Sequence, residues 1–282
     1  MHVYDIPSDK LIELEEDAAQ CISKNVPAHT IPWDLDTYIR MWGGVINSRL
    51  HKGGKDVTDP ASAEDVTRIW EVARTHWDDW NSFSRFLREN FLPDGNLDVK
   101  KRAGEILRAL QNADTNFKTP RQLNALLDVL EEAGVLLHVI HSDGQYAFRY
   151  KSREVKDCLW DGGSILELHT YLEEKQQCDD CRIGVHLDWD GIIHSRPGED
   201  VLNEIDVLTL KGNVPTFISC KSGKVIGNTA LYAMYELETV ADRFGGKYAR
   251  KILKITQPMN EVYLERAKEM GIVVEECEFV GN

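Results

Sequence analysis

Between residues 203 and 223 the chain reads N-E-I-D-V-L-T-L-K-G-N-V-P-T-F-I-S-C-K-S-G. Side chains on a strand alternate faces, so Glu204 and Asp206 share one face, and Ser219 and Lys221 share one face. If Gly212 and Asn213 form a two-residue hairpin turn, Lys211 faces Val214, Asp206 faces Ser219 and Glu204 faces Lys221. Directly opposed residues have Cβ atoms about 5 Å apart on the same sheet face. Two carboxylates, a hydroxyl and an ammonium are thereby predicted to meet on one patch. Ile205, Val207 and Ile218 are apolar, as in strands covered on both faces.

A charged quartet between such strands is costly without a task. Hydrolysis of a phosphodiester supplies one. Carboxylates hold Mg²⁺ or Mn²⁺ through hard oxygens, and the ion polarises a phosphoryl group and acidifies a bound water. A lysine stabilises developing charge or orients the water. The plainer alternative is a buried Glu204–Lys221 salt bridge with Asp206 as a third partner.

The elements that must carry these residues can be placed by periodicity. From residue 155 onward the pattern predicts a helix over 165–174, strands over 182–189, 204–210 and 216–221, and a helix over 228–244. A strand over 251–256, a helix over 260–271 and a strand over 272–275 complete it. The order αβββαβ, extended by αβ, is an α/β sandwich. Glu167 on the first helix has two readings: a site acid, or the partner of Ser164 in a capping box. Glu236, among Tyr232, Tyr235 and Thr239, is either a supporting acid or part of a solvated helix face. His186, Asp188 and Asp190 alternate along one strand and read as polar strand-end residues as readily as metal ligands. Lys224 and Lys247 read as phosphate contacts or solvated lysines.

Upstream, H-V-Y-D-I-P-S-D-K-L-I-E-L predicts two short strands around a Pro-Ser-Asp turn. A helix is expected near Trp33–Asp34, then a loop over 51–60. A helical region is predicted from Asp59-Pro60 to about Phe91. Residues 97–150 read as helix (Val99–Leu110), helix (from Thr119-Pro120 to Gly134) and a hairpin around Ser-Asp-Gly. That unit is winged-helix-like. Its second helix, R-Q-L-N-A-L-L-D-V-L-E-E, lacks a basic reading face, which favours a structural linker over nucleic-acid contact.

The chain has 282 residues and 42% hydrophobic composition with seven Trp, enough for sizeable cores and against wholesale disorder. No apolar run suits a membrane span and the N-terminus lacks signal-peptide character, so a cytoplasmic protein is expected. Six scattered cysteines agree, and Cys178-x-x-Cys181 without a second ligand pair reads as ordinary thiols. The net charge of −14 argues against a broad basic nucleic-acid surface. Yet Lys211 to Lys254 holds eight basic and three acidic residues, so phosphate contacts are expected there.

Asp206, then Ile218-Ser219-Cys220-Lys221-Ser222-Gly223, resembles the core of PD-(D/E)xK nucleases, an Asp, a hairpin and (D/E)-x-K. More narrowly, G-G-S-I-L-E, H-L-D-W-D-G, N-E-I-D-V-L and F-I-S-C-K-S-G, with a helix ending R-F-G-G after them, resemble CRISPR-associated effectors that join a CARF sensor to such a nuclease (Can/Card type). The resemblance covers 155–256. It implies a restriction-endonuclease-like domain, a homodimer, Mn²⁺ or Mg²⁺, and cleavage of DNA, RNA or both in antiviral defence. It also implies that cyclic oligoadenylate activates such effectors. V-Y-D-I-P-S-D-K-L-I-E-L and I-P-W-D-L-D-T-Y-I-R-M-W-G resemble the exit of a CARF domain whose ligand-binding core is largely missing, so tight cyclic oligoadenylate binding by this chain is not expected.

The expected organisation is a CARF-like hairpin (1–30), a helical region (31–95), a winged-helix-like linker (96–153) and a nuclease domain (154–282). Lys221, Asp206 and Glu204 are the expected catalytic residues. Asp206, Glu167 and the Cys220 carbonyl are the expected ligands of one weakly held ion, Mn²⁺ in preference to Mg²⁺. Lys224 and Lys247 are expected to contact nucleic acid, with Ser219 and Glu236 in support. Ser219 stands where the family pattern has an acid. That departure leaves open a second function, a catalytically weakened nuclease fold that binds nucleic acid or acts as a regulatory module.

Overall fold

In the computed structural model, residues 33–47, 61–91, 96–113, 117–193 and 203–277 are described in full, and 2–5, 10–13, 22–24 and 202 by their backbone. Strands β1 (His2–Asp5), β2 (Lys10–Glu13) and β3 (Ile22–Lys24) form an antiparallel sheet with β2 central. Asp5 stands opposite Lys10, the expected hairpin register; β3 was not predicted, and the Pro-Ser-Asp turn lies outside the described residues.

Helix α1 (Leu35–Met41) starts on Asp34, whose carboxylate accepts the Thr37 N–H at 2.7 Å. Strand β4 (Val45–Ile46) comes next. The predicted loop over 51–60 lies outside the described residues. The helical region predicted from Asp59-Pro60 to Phe91 holds two helices, α2 (Ala63–Thr75), capped by Ser62, and α3 (Trp77–Asn90). The break has a local cause. The Thr75 hydroxyl donates to the Glu71 and Val72 carbonyls, both at 2.9 Å, and the His76 ring nitrogen lies 3.0 Å from the Val72 carbonyl. Side chains that compete for backbone carbonyls weaken the helical ladder there.

The helix predicted over Val99–Leu110 is corrected at its start. Its first residues form β5 (Asp98–Arg102), and helix α4 (Ala103–Asn112) begins only afterwards. Helix α5 (Pro120–Glu132) starts as expected, with the Thr119 and Gln122 capping box and Pro120 at the first turn. Strands β6 (Leu136–Ile140) and β7 (Gln145–Tyr150) are the predicted hairpin, and β5 adds to the outer side of β7 with Val99 opposite Phe148. Pairing with β7 overrides the helical spacing, because Val99 is buried in this arrangement.

Helix α6 (Arg153–Cys158), which was not predicted, comes next, and the remaining elements keep the predicted order: α7 (Ser164–Glu174), β8 (Asp180–Asp188), β9 (Leu202–Lys211), β10 (Val214–Lys221), α8 (Asn228–Gly245), β11 (Arg250–Ile255), α9 (Glu261–Glu269) and β12 (Ile272–Glu276). They build a mixed sheet in the order β12-β11-β10-β9-β8-β4. β10, β11 and β12 run parallel, and β10, β9, β8 and β4 alternate direction. The sheet thus recruits β4 from well upstream. Helix α1 comes with it, its Leu35 N–H donating to Asp180 Oδ2 at 2.8 Å.

Two apolar layers enclose the sheet. On one face Leu35, Ile39, Met234, Leu237 and Phe244 from α1 and α8 pack on Val185, Ile205, Phe217 and Leu253. On the other, Ile165 and Leu166 of α7 pack on Val207, Ile218 and Ile252, and this core continues through α2, α3, α5 and the β5–β7 sheet. Each fully buried Leu, Ile or Phe contributes about 1.5–3 kcal/mol relative to exposure, so the helical region and the sheet hold each other in place. Among the described residues no helix is long and apolar enough to cross a membrane.

Candidate active site

The turn between β9 and β10 has Gly212 at φ +60°, the left-handed backbone a two-residue hairpin needs at its first central position. Lys211 faces Val214, as predicted, and the register runs unbroken to Val207 opposite Ile218. There the ladder ends. Asp206 does not pair with Ser219 through the backbone. Its carboxylate oxygen Oδ2 instead accepts the Cys220 N–H at 2.6 Å and the Ser219 hydroxyl at 3.3 Å, and Lys221 Nζ lies 3.7 Å from the same atom. The carboxylate enters the fork where β9 parts from β10, and satisfies an amide that the missing ladder would have paired. Charge-assisted bonds of this kind to a backbone N–H are short and strong.

The predicted meeting of Glu204 with Lys221 is corrected. Glu204 pairs across β8 with His186, the ring Nε2 lying 4.0 Å from its Oε2, and Lys221 keeps to Asp206. The splay of β9 from β10 is the reason, because the register that would oppose 204 and 221 stops at Val207.

Glu167 stands on α7. The capping-box reading does not hold: the residue before the helix is Gly163, Ser164 is already helical, and no side chain caps this end. Glu167 is 8% exposed and borders the same cleft as Asp206. The Cys220 thiol, buried between sheet and α7, is pushed well up by burial first, then by the Asp206 and Glu167 carboxylates near it. Its Sγ lies 3.7 Å from the Thr170 hydroxyl.

The cleft has a volume of about 370 Å³ and is bordered by Glu167, Glu204, Asp206, Lys221, Lys224 and Thr229, with Asp161 and Gly163 at the α7 end. Ser219 touches Asp206 without bordering the opening. Glu236 lies to one side, accepting from Asn203 Nδ2 at 3.4 Å. Lys247 is not brought here. It sits beyond the C-terminal end of α8 with its ammonium over the Tyr248 ring, and α8 spans about 27 Å at 1.5 Å per residue. Asp188 accepts the Asp190 and Gly191 N–H groups at 3.2 and 3.1 Å, which ends β8 in a side-chain turn. Cys178 and Cys181 are free thiols raised by burial.

Two residues that the sequence did not single out hold the cleft in shape. Asn81 on α3 donates to the Ser222 carbonyl at 2.5 Å, just after Lys221. A Cβ at Gly162 would stand 2.1 Å from the Asn81 amide oxygen, so only glycine allows this approach. One side chain of the helical region thus pins the loops before Glu167 and after Lys221. Asp161 Oδ1 accepts the Gly163 N–H at 3.1 Å and shapes the entry to α7. No local pattern marks Asn81, since its partners lie far away in sequence.

Hard oxygens at the cleft that could serve a divalent ion include the Asp206 and Glu167 carboxylates and the Cys220 carbonyl, with the Glu204 and Asp161 carboxylates on the same border. A strand residue sends its N–H and C=O to the same side, and the Cys220 N–H points to Asp206. Among the described residues no group of three or more His, Cys, Asp or Glu is close enough to hold a metal by side chains alone.

Residues 156–281 match the family described as Card1-like, endonuclease domain. Among solved structures, the chain is similar to protein VC1899 from Vibrio cholerae, with a TM-score of 0.63 and 19% identity, over 98% of this chain and 64% of that one. It is also similar to Can2 from Sulfobacillus thermosulfidooxidans in complex with cyclic tetra-adenylate, with a TM-score of 0.55 and 14% identity, over 97% of this chain and 63% of that one. The chain thus spans under two thirds of the length of either. No curated protein sequence matches.

Proposed function

We propose that this chain, whose residues 156–281 match the Card1-like endonuclease domain, is a CRISPR-associated nuclease of the Card/Can type, a metal-dependent endonuclease acting on DNA, RNA or both through the cleft at the β9–β10 fork. In this reading residues 154–282 are the PD-(D/E)xK, restriction-endonuclease-like domain, and α4, α5 and the β5–β7 sheet are a winged-helix-like linker. The observation that carries it is the convergence of Asp206, Glu167 and Lys221 on one cleft, with Asp206 fixed by the Cys220 N–H. An acid buried at such a fork supports a functional assignment over a structural one, because a purely structural site would accommodate an apolar residue at lower cost.

Asp206, Glu167 and the Cys220 carbonyl would hold Mn²⁺ or Mg²⁺. Bound there, the ion would supply charge neutralisation at the phosphoryl group and an acidified water. Asp206 commits Oδ2 to the Cys220 amide and Ser219 hydroxyl, which leaves Oδ1 as the oxygen it could offer to the ion. Lys221, at the end of β10, offers its ammonium to developing negative charge. Lys224, exposed on the rim, can bind a neighbouring phosphate. Glu204, whose Oε2 lies 4.0 Å from His186 Nε2, is a further carboxylate at the cleft able to accept a proton.

Cleavage of supercoiled plasmid and of labelled RNA with Mn²⁺, and its loss with EDTA, tests the reading. Lys221→Ala should reduce the rate at least a hundredfold without unfolding the protein, the scale of removing one donor to a transition-state charge (about 10²–10³). Full activity in Lys221→Ala would refute the assignment. The hydroxyl of Ser219 in place of a third acid favours a second reading, a weakened nuclease fold that binds nucleic acid; binding without cleavage at any Mn²⁺ concentration would select it. We assign no cyclic oligoadenylate site to this chain, and submicromolar binding of cyclic tetra-adenylate in calorimetry would reverse that. The proposed assembly is a homodimer, which light scattering reads directly.

A further inference from the structure

Residues two apart on a strand share a face. β8 and β9 break this rule together at one level. Ile183 and Val207 stand opposite each other and pack toward α7. Val185 and Ile205, also opposite each other and two residues away, pack toward α8. Between these pairs lie Gly184 and Asp206, the one level of the β8–β9 ladder at which no pairing forms. The register does not slip across it, because Ile183–Val207 and Val185–Ile205 keep the same offset. Both strands change faces without either gaining a residue.

Gly184 has φ +60°, a left-handed conformation in the middle of a strand. A Cβ there would meet nothing within 4 Å. What glycine supplies at this position is therefore backbone conformation and not room. The consequence falls on Asp206. Counted by alternation from Leu208 and Leu210, which face α8, Asp206 belongs among the apolar side chains of that layer. With the change of face it lies instead on the cleft, beside Glu167 and within reach of the Cys220 N–H.

We infer that Gly184 is the positioning residue of Asp206: its left-handed backbone lets β8 change faces in step with β9 and so turns the carboxylate into the cleft. The catalytic part of this inference rests on the nuclease reading above; the placement of Asp206 does not. Residues differ in their tolerance of this conformation. Asn enters it readily, Ala does so poorly, and a β-branched residue is a strong outlier. The expected order of function is glycine, then Asn, then Ala, then Val, which does not track side-chain size.

The test compares wild type, Gly184→Asn, Gly184→Ala and Gly184→Val in the full chain by two readouts. The first is the Cys220 amide proton in NMR, shifted far downfield by its carboxylate partner and slow to exchange. The second is Mn²⁺-dependent cleavage. Gly184→Asn should keep the Cys220 shift, whereas Gly184→Ala and Gly184→Val should lose it and exchange at least tenfold faster. The kcat should fall at least tenfold in the same two variants, with KM for nucleic acid unchanged within twofold. A wild-type Cys220 amide in folded Gly184→Val overturns the inference. If Gly184→Val does not fold, equal behaviour of the Asn and Ala variants overturns it. If the amide keeps to the expected order while even the wild type cleaves nothing, the nuclease reading fails and the positioning role stands.

Discussion

Asp206→Asn separates charge from shape at the fork. The carboxylate is 8% exposed and its Oδ2 accepts from Cys220 N–H at 2.6 Å. An amide oxygen can accept the same bond, so the substitution replaces a charge-assisted bond with a neutral one. The first kind contributes about 1.5–3 kcal/mol and the second about 1, which sets the expected loss at roughly 0.5–2 kcal/mol. Lys221 also loses its partner at 3.7 Å, but with a third of its side chain exposed it stays solvated and adds little. For a chain of this size a loss of about 1 kcal/mol lowers Tm by only about 2–4 °C. Activity should respond on another scale. In the proposed site the ion would lose one of its carboxylate donors, and the rate should fall at least about a hundredfold, the equivalent of about 2.7 kcal/mol in the barrier. Thermal unfolding and Mn²⁺-dependent cleavage of one preparation read both quantities. A variant within twofold of wild-type activity, in a reaction that EDTA still abolishes, would refute the role of Asp206. A Tm loss beyond about 10 °C would refute the energetic argument, since it would mean that the charge and not the acceptor holds the fork together.

Three other outcomes are expected. Ser219→Glu places a carboxylate beside Asp206 and should lower the Mn²⁺ midpoint of cleavage, with a Tm below wild type in EDTA as two acids repel and a recovery on adding Mn²⁺; an unchanged midpoint would remove position 219 from the metal question. Glu173 is held down to about 2 from an ordinary 4.5 by the His169 ring and then Lys254, against the opposing effect of burial. A depressed carboxylate contributes stability above its unfolded pKa and loses it as pH falls through the folded one, so Glu173→Gln should lower Tm near neutral pH and flatten its decline between pH 4.5 and about 2; an unaltered acid limb would contradict this. Lys224→Ala should raise KM for nucleic acid severalfold more than Lys247→Ala, because Lys224 borders the cleft and Lys247 lies past the far end of α8; equal effects would extend the substrate path along the whole helix.

Much of the architecture was legible because it is local. Alternation in N-E-I-D-V-L and T-F-I-S-C-K, with a Gly-Asn turn between them, sufficed for β9, β10 and their register as far as Val207 and Ile218. Thr119-Pro120 with Gln122 contains its own capping chemistry, and α5 begins there. The identity of the acids and the lysine was likewise open to reading, since charged residues inside apolar strands stand out without any knowledge of the fold. Where the sequence failed, the deciding partner was remote. Val99 keeps helical spacing with Ile106 and Leu110, yet β7 supplied a free edge and drew it into β5. The alternation that placed Glu204 against Lys221 assumed an unbroken ladder, and only the fork of β9 from β10 gives Glu204 to His186 and Lys221 to Asp206. The capping reading of Glu167 fails because α7 begins one residue earlier than the capping box requires. Asn81 reaches Ser222 across 141 residues of sequence, and Gly184 carries no motif at all. The residue types capable of chemistry are a property of the chain, because each has its chemistry alone. Their convergence depends on strand divergence and on a backbone turn paired across two strands, which no single segment determines.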